Sequence, residues 1–90
     1  MIQYEIKVFG RVQGVGFRYF VRQRAAEFNM KGWVRNTPDG NVLVMAQGDV
    51  TDMETFLDYL RIGPSLARVT RVTKNEMPAL EAFDDFQVKY

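Results

Sequence analysis

The sequence contains neither cysteine nor histidine. Disulfide bonds are therefore excluded, and because nothing indicates an oxidising compartment, the cytoplasm is the expected location. A cysteine nucleophile, a histidine general base, a Ser-His-Asp triad and a zinc site built from Cys and His are excluded as well. Any catalysis must use arginine, lysine, asparagine, carboxylates, hydroxyls or backbone groups.

Net charge and long apolar segments are also scarce. Twelve Lys and Arg against 11 Asp and Glu leave a charge of +1, which argues against nucleic acid as a partner, because such binders usually carry a clear basic excess. The longest aliphatic run, Val42–Ala46, is far too short to span a bilayer, and the N-terminus has no signal-peptide apolar block. We expect residues 1–90 to form one domain with one core, with no membrane partner, and to be monomeric.

Hydrophobic periodicity predicts five strands and two helices. The strands are expected at 2–9, 31–36, 41–47, 68–74 and 86–90. The first helix is expected from 17 until Asn29 stops it, and the second between a capping box at Thr51–Glu54 and a stop at Gly63–Pro64. Thr37–Gly40 (TPDG) predicts the turn of a hairpin. This order, βαββαβ with a short C-terminal strand, predicts an α+β ferredoxin-like sandwich with two helices on one face of a mainly antiparallel sheet.

The most informative segment, VFGRVQGVGFR at 8–18, joins the first strand to the first helix. Backbone N–H groups at such a turn have no helical partner and form a cradle for an anion. Arg18 falls at the positive end of the helix dipole, where a cation is unfavourable unless an anion is also present. Its planar fork of donors suits phosphate. The predicted phosphate-binding residues are Gln13, Gly14, Val15, Gly16, Phe17 and Arg18. In the alternative interpretation, the glycines only satisfy backbone geometry and Arg18 is a solvated charge.

Asn36 is the second candidate site residue, at the end of the second predicted strand. In this topology it could lie beside the cradle, where its amide could hold a water molecule by accepting and donating hydrogen bonds. Asparagine cannot act as a general base at neutral pH. The alternative interpretation is an ordinary turn residue ahead of TPDG.

The chain resembles the acylphosphatase family. Its segments VFGRVQGVGFR and GWVRNTPDGNV (32–42, continuing to Gly48) are similar to that family's two signature segments. The resemblance implies hydrolysis of an acyl phosphate to a carboxylate and inorganic phosphate, without a metal or a cofactor. It implies that Arg18 is the catalytic arginine that binds phosphate, that Asn36 orients the attacking water and that residues 13–17 form the backbone cradle.

Two other functions remain open on the residues alone. A non-catalytic anion-binding or interaction module could use the same cradle, and turnover of an acyl phosphate would separate it from an enzyme. An RNA-binding domain of the same fold is less well supported, because the third predicted strand lacks the aromatic pattern that stacks bases.

Overall fold

The computed structural model of the protein describes all residues from 1 to 90. Its elements follow the predicted order, and most boundaries lie within two residues of the predicted ones. They are β1 (Ile2–Arg11), α1 (Phe17–Glu27), β2 (Lys31–Asn36), β3 (Val42–Gly48), α2 (Val50–Ile62), β4 (Arg68–Met77) and β5 (Phe86–Lys89). Neither helix is long and apolar enough to cross a membrane.

The five strands form one mixed sheet in the order β4-β1-β3-β2-β5. Strands β1 to β4 pair antiparallel, whereas β5 runs parallel to β2 along the edge of the sheet. Both helices pack on one face, so the expected ferredoxin-like sandwich is confirmed. The parallel pairing matters for the site, because it places the last residues of the chain beside the end of β2, with Lys89 opposite Arg35.

The core lies between the helices and the sheet. Fifteen buried apolar side chains form one cluster. Ile6 and Val8 contribute to it from one face of β1, as the period of two predicts. The α2 contribution is the predicted set at helical spacing: Met53, Phe56, Leu57 and Leu60. Phe17 is only 1% exposed although it is the first residue of α1, so burial of its ring fixes the start of the helix against the core.

The predicted beginning of α2 is wrong by two residues. Asp49, and not Thr51, is the N-cap, and its carboxylate accepts hydrogen bonds from the backbone N–H groups of Thr51 at 3.0 Å and Asp52 at 3.4 Å. Aspartate caps a helix at least as well as threonine. Asp49 directly follows β3, and its carboxylate binds the first free N–H groups of the helix. The helix therefore begins before Thr51. The other three predicted ends are confirmed, since Phe17 opens α1, Asn29 follows its end with a left-handed φ of 58°, and Gly63 caps α2.

Candidate active site

The loop between β1 and α1 owes its shape to two glycines in the left-handed region. Gly14 has a φ of 72° and Gly16 a φ of 77°, values that L side chains rarely adopt. A Cβ built on either glycine would meet no atom within 4 Å. The glycines are therefore needed for backbone conformation rather than for close packing, and the space above the loop is open.

The donors of this loop lack acceptors in the protein. The backbone N–H groups of Gly14, Val15 and Gly16 donate no hydrogen bond within the chain. Gly16 is the N-cap of α1, where it offers no side-chain acceptor, and the first turn of the helix contains no acidic residue. The first N–H groups of any helix have no intrahelical partner. The loop and the helix start therefore present an uncompensated set of donors, which is the arrangement that binds anions.

Arg18 is held at this helix start by the end of the chain. Its Nη1 donates a hydrogen bond to the carbonyl oxygen of Lys89 at 3.0 Å, and its guanidinium lies 4.6 Å from the centroid of the Tyr90 ring. Both contacts come from β5 and the residue after it. Sequence reasoning missed these two partners, because nothing in the sequence of the final strand indicates contact with a residue 71 positions away.

Most of the predicted site residues line one cavity of about 210 Å³. Asn36, at the end of β2, lines it together with Arg18. Gly14, Gly16 and Phe17 line it from the predicted cradle, whereas Gln13 and Val15 do not. The remaining wall residues are Val12, Tyr19, Arg22, Val88 and Tyr90. No Asp or Glu side chain lines the cavity, and its two charged side chains, Arg18 and Arg22, are both positive.

Gln13 has a structural contact that the sequence did not indicate. Its side-chain Nε2 donates hydrogen bonds to the carbonyl oxygens of Thr37 and Asn41, both at 2.8 Å. These two residues bracket the β2–β3 turn, directly after Asn36. The Gln13 amide therefore ties the cradle loop to the hairpin that carries Asn36.

A second tie holds the same hairpin to β1. Lys7 Nζ donates a hydrogen bond to Asp39 Oδ2 at 2.7 Å, and the Thr37 hydroxyl donates to Asp39 Oδ1. These bonds, the one from Lys7 first, hold the pKa of the Asp39 carboxyl well below its usual range. Asp39 is exposed and does not line the cavity, so its part is to brace the turn.

The arrangement can bind a tetrahedral oxyanion and hold a water molecule beside it. Backbone N–H groups and the Arg18 guanidinium supply donors, and the Asn36 amide supplies one donor group and one acceptor. Groups of three or more His, Cys, Asp and Glu side chains that could hold a metal ion occur nowhere in the protein. The fold and this site define a small α+β sandwich with a cavity suited to an anion, and no side chain that lines the cavity has an unperturbed pKa near neutrality.

Comparison with known proteins identifies the family to which the chain is similar. The family model for acylphosphatase matches residues 4–88. Curated acylphosphatases from Archaeoglobus fulgidus and Bacillus licheniformis are 44% and 43% identical to this chain, each over the full length of both sequences. The crystal structure of acylphosphatase from Bacillus subtilis superimposes with a TM-score of 0.96 at 40% identity and covers all of both chains.

The chain belongs to the acylphosphatase family, which confirms the resemblance seen in its two signature segments. It is an enzyme that hydrolyses acyl phosphates, acting on the anhydride bond between a carboxyl and a phosphate group. The non-catalytic alternative finds no support in these comparisons.

Proposed function

We propose that Arg18 and the backbone of residues 13–17 bind the phosphate group of the acyl phosphate and that Asn36 orients the attacking water. The observation that carries this proposal is the shared cavity. Arg18, Asn36 and the two left-handed glycines of the cradle line it, and no Asp or Glu side chain does. An anion placed in the cradle would offset the unfavourable position of Arg18 at the positive end of α1.

The reaction suits these residues because phosphoryl transfer depends mainly on positioning and charge stabilisation. The cradle N–H groups and the Arg18 fork would hold the three equatorial oxygens of the phosphoryl group and stabilise the charge on them in the transition state. The Asn36 amide would hold the water in line with the bond to the leaving oxygen. These tasks require neither a general base nor a metal ion.

The reaction requires no general acid, because the leaving group departs without being protonated. The water oxygen forms a bond to phosphorus, and the bond from phosphorus to the bridging oxygen breaks. The electron pair leaves with the carboxylate, which is a good leaving group because the pKa of its conjugate acid is only about 4. We propose that the proton of the water passes to a phosphate oxygen of the substrate, since no side chain of the cavity lining is suited to accept it.

Phosphate release from acetyl phosphate by the purified protein tests these roles. Arg18→Ala should lower kcat/KM by about 10²–10³, the usual loss when a transition-state donor is removed. Asn36→Ala should lower kcat while inorganic phosphate still binds, because its task is to place the water. Arg71→Ala, which removes the same charge from exposed strand β4, is the matched control.

The opposite pattern for Asn36 would overturn its assignment. If Asn36→Ala lost phosphate binding and kept kcat, the amide would belong to the phosphate site. If Arg18→Ala kept kcat/KM within a few-fold of the parent and of Arg71→Ala, the guanidinium would have no part in the transition state.

We further propose that residues 1–90 act as one monomeric domain in the cytoplasm, without a nucleic acid or membrane partner. The single core cluster supports one domain, and the absence of cysteine is typical of a reducing compartment. Sedimentation at micromolar concentration tests the monomer, which a mass of about 21 kDa, twice the 10.4 kDa of the chain, would refute.

A further inference from the structure

Beyond the cradle, the cavity continues along the groove between α1 and β5, where Tyr19, Arg22, Val88 and Tyr90 form its wall. We propose that this part of the cavity is the subsite for the acyl group and that Arg22 selects acyl groups carrying a second negative charge. The inference rests on the proposed function, because it takes the phosphate to lie in the cradle beside Arg18.

Arg22 is placed to reach the far end of a substrate held by Arg18. The two residues are four positions apart on α1, so they share one face of the helix and are separated by about 6 Å along its axis. Both line the same cavity. A substrate that extends from the cradle along the groove would therefore meet the second guanidinium one helical turn after the first.

Arg22 forms no ion pair in the protein. Arg24 and Arg61, which also lie on helices, pair with acidic residues three positions away. Arg22 takes part in none of the ion pairs and in none of the side-chain hydrogen bonds. It also borders a neighbouring cavity that Asp85 lines, but no ion pair joins the two residues. An anionic group of the substrate would therefore not have to displace an existing partner.

The rest of the wall suits a short apolar segment. Val88 is half-buried and packs against the core under the helices, and the exposed Tyr90 ring flanks the groove beside Arg18. With two methylene groups between the reacting carbonyl and a distal carboxylate, an extended substrate places its phosphorus and its carboxylate carbon five bonds and about 6 Å apart, which is comparable to the axial separation of the two arginines. The chemical class that fits is the monoacyl phosphate of a dicarboxylic acid of about four carbons.

The test compares two substrates of equal length, the monoacyl phosphate of butanedioic acid and butanoyl phosphate, in which a methyl group replaces the distal carboxylate. The parent should show the higher kcat/KM on the dicarboxylic substrate. Arg22→Gln should reduce the ratio of the two kcat/KM values about fivefold, which corresponds to about 1 kcal/mol, the upper range for an exposed ion pair. The matched control is Arg71→Gln, which removes one positive charge from β4 at the opposite edge of the sheet from β5.

Binding of the two matching β-ketophosphonates, in which CH2 replaces the bridging oxygen, provides a readout without turnover. Calorimetry on the same three proteins should show the same fivefold change in the ratio of dissociation constants. Turnover of butanoyl phosphate reports the proposed roles of Arg18 and Asn36, whereas the two ratios report the subsite, so the two proposals can fail separately.

Two results would overturn the subsite. If the ratio of the two kcat/KM values were equal in the parent, Arg22→Gln and Arg71→Gln, Arg22 would not distinguish the two acyl groups. A loss in Arg22→Gln that is the same for both substrates would mean that Arg22 contacts the phosphate group instead. A fivefold loss of the ratio in Arg22→Gln alone, in both assays, supports the proposal.

Discussion

Replacing Gln13 with alanine would remove the side-chain hydrogen bonds that join the cradle loop to the hairpin that carries Asn36. The variant loses two hydrogen bonds of 2.8 Å, to the carbonyl oxygens of Thr37 and Asn41. Those carbonyls keep other partners, because Thr37 O also accepts from Gly40 N and Asn41 O accepts from Thr37 N. The loss should therefore be that of two ordinary hydrogen bonds, about 1–2 kcal/mol in all, without the larger cost of unpaired buried groups.

For a domain of this size, that loss corresponds to a fall in Tm of about 5–15 °C. At a temperature where the variant is folded, we expect kcat to fall more than the affinity for inorganic phosphate. The reason is that the cradle would keep its glycines and Arg18, whereas Asn36 would lose part of its support. Thermal melts, steady-state kinetics and phosphate titration measure the three quantities.

Gln23→Ala is the matched control, because Gln23 is exposed on α1 and makes no side-chain hydrogen bond. It should leave Tm within about 3 °C of the parent, in line with other surface substitutions. A Gln13→Ala protein with the Tm and kcat of the parent would show that the tie is dispensable. Equal losses of kcat and phosphate affinity would show that Gln13 supports the cradle and not Asn36.

Three further variants test the neighbouring elements. Tyr90→Ala should weaken phosphate binding about two- to fivefold with little change in Tm, because the ring steadies the Arg18 guanidinium by a contact of about 0.5–1 kcal/mol; titration with phosphate measures it, and unchanged binding would contradict it. Asp49→Ala should cost about 1 kcal/mol of stability through loss of the α2 N-cap, with kcat unchanged; a denaturant melt with an unchanged midpoint would refute it. Because the folded pKa of Asp39 is depressed, its stabilisation is present above the unfolded pKa and is lost as pH falls through the folded one. Tm should therefore fall less steeply below about pH 4 in Asp39→Asn than in the parent, and parallel curves would contradict this.

Much of the fold could be predicted because local signals and tertiary packing agree. The alternation along β1 and the helical spacing of Met53, Phe56, Leu57 and Leu60 predict the buried faces that the structure shows. The start of α2 could not be predicted correctly, because Asp49 and Thr51 are both good caps and only the end of β3 decides between them.

Part of the candidate site could likewise be predicted from the sequence, and part of it could not. The backbone shape of the loop at 13–17 could be predicted, since two glycines and the absence of an acid in the first helical turn are local features. Its surroundings were not, because Lys89 and Tyr90 reach Arg18 only through the parallel pairing of β5 with β2. The link from Gln13 to the hairpin turn likewise depends on contacts more than 20 residues apart in sequence. Side-chain partners at such separations depend on strand order and register, which periodicity alone does not specify.

The central claim, that the cradle and Arg18 bind the phosphate group, is tested most directly by the effect of inorganic phosphate on Tm. A ligand bound only by the native state, at a hundredfold excess over its Kd, stabilises it by about 2.7 kcal/mol, which is a rise in Tm of about 10–20 °C for a domain of this size. We predict this rise in the parent and in Arg71→Ala, a smaller one with chloride at matched ionic strength, and none in Arg18→Ala. An equal shift with phosphate in the parent and in Arg18→Ala would contradict the account, because the anion would then bind elsewhere.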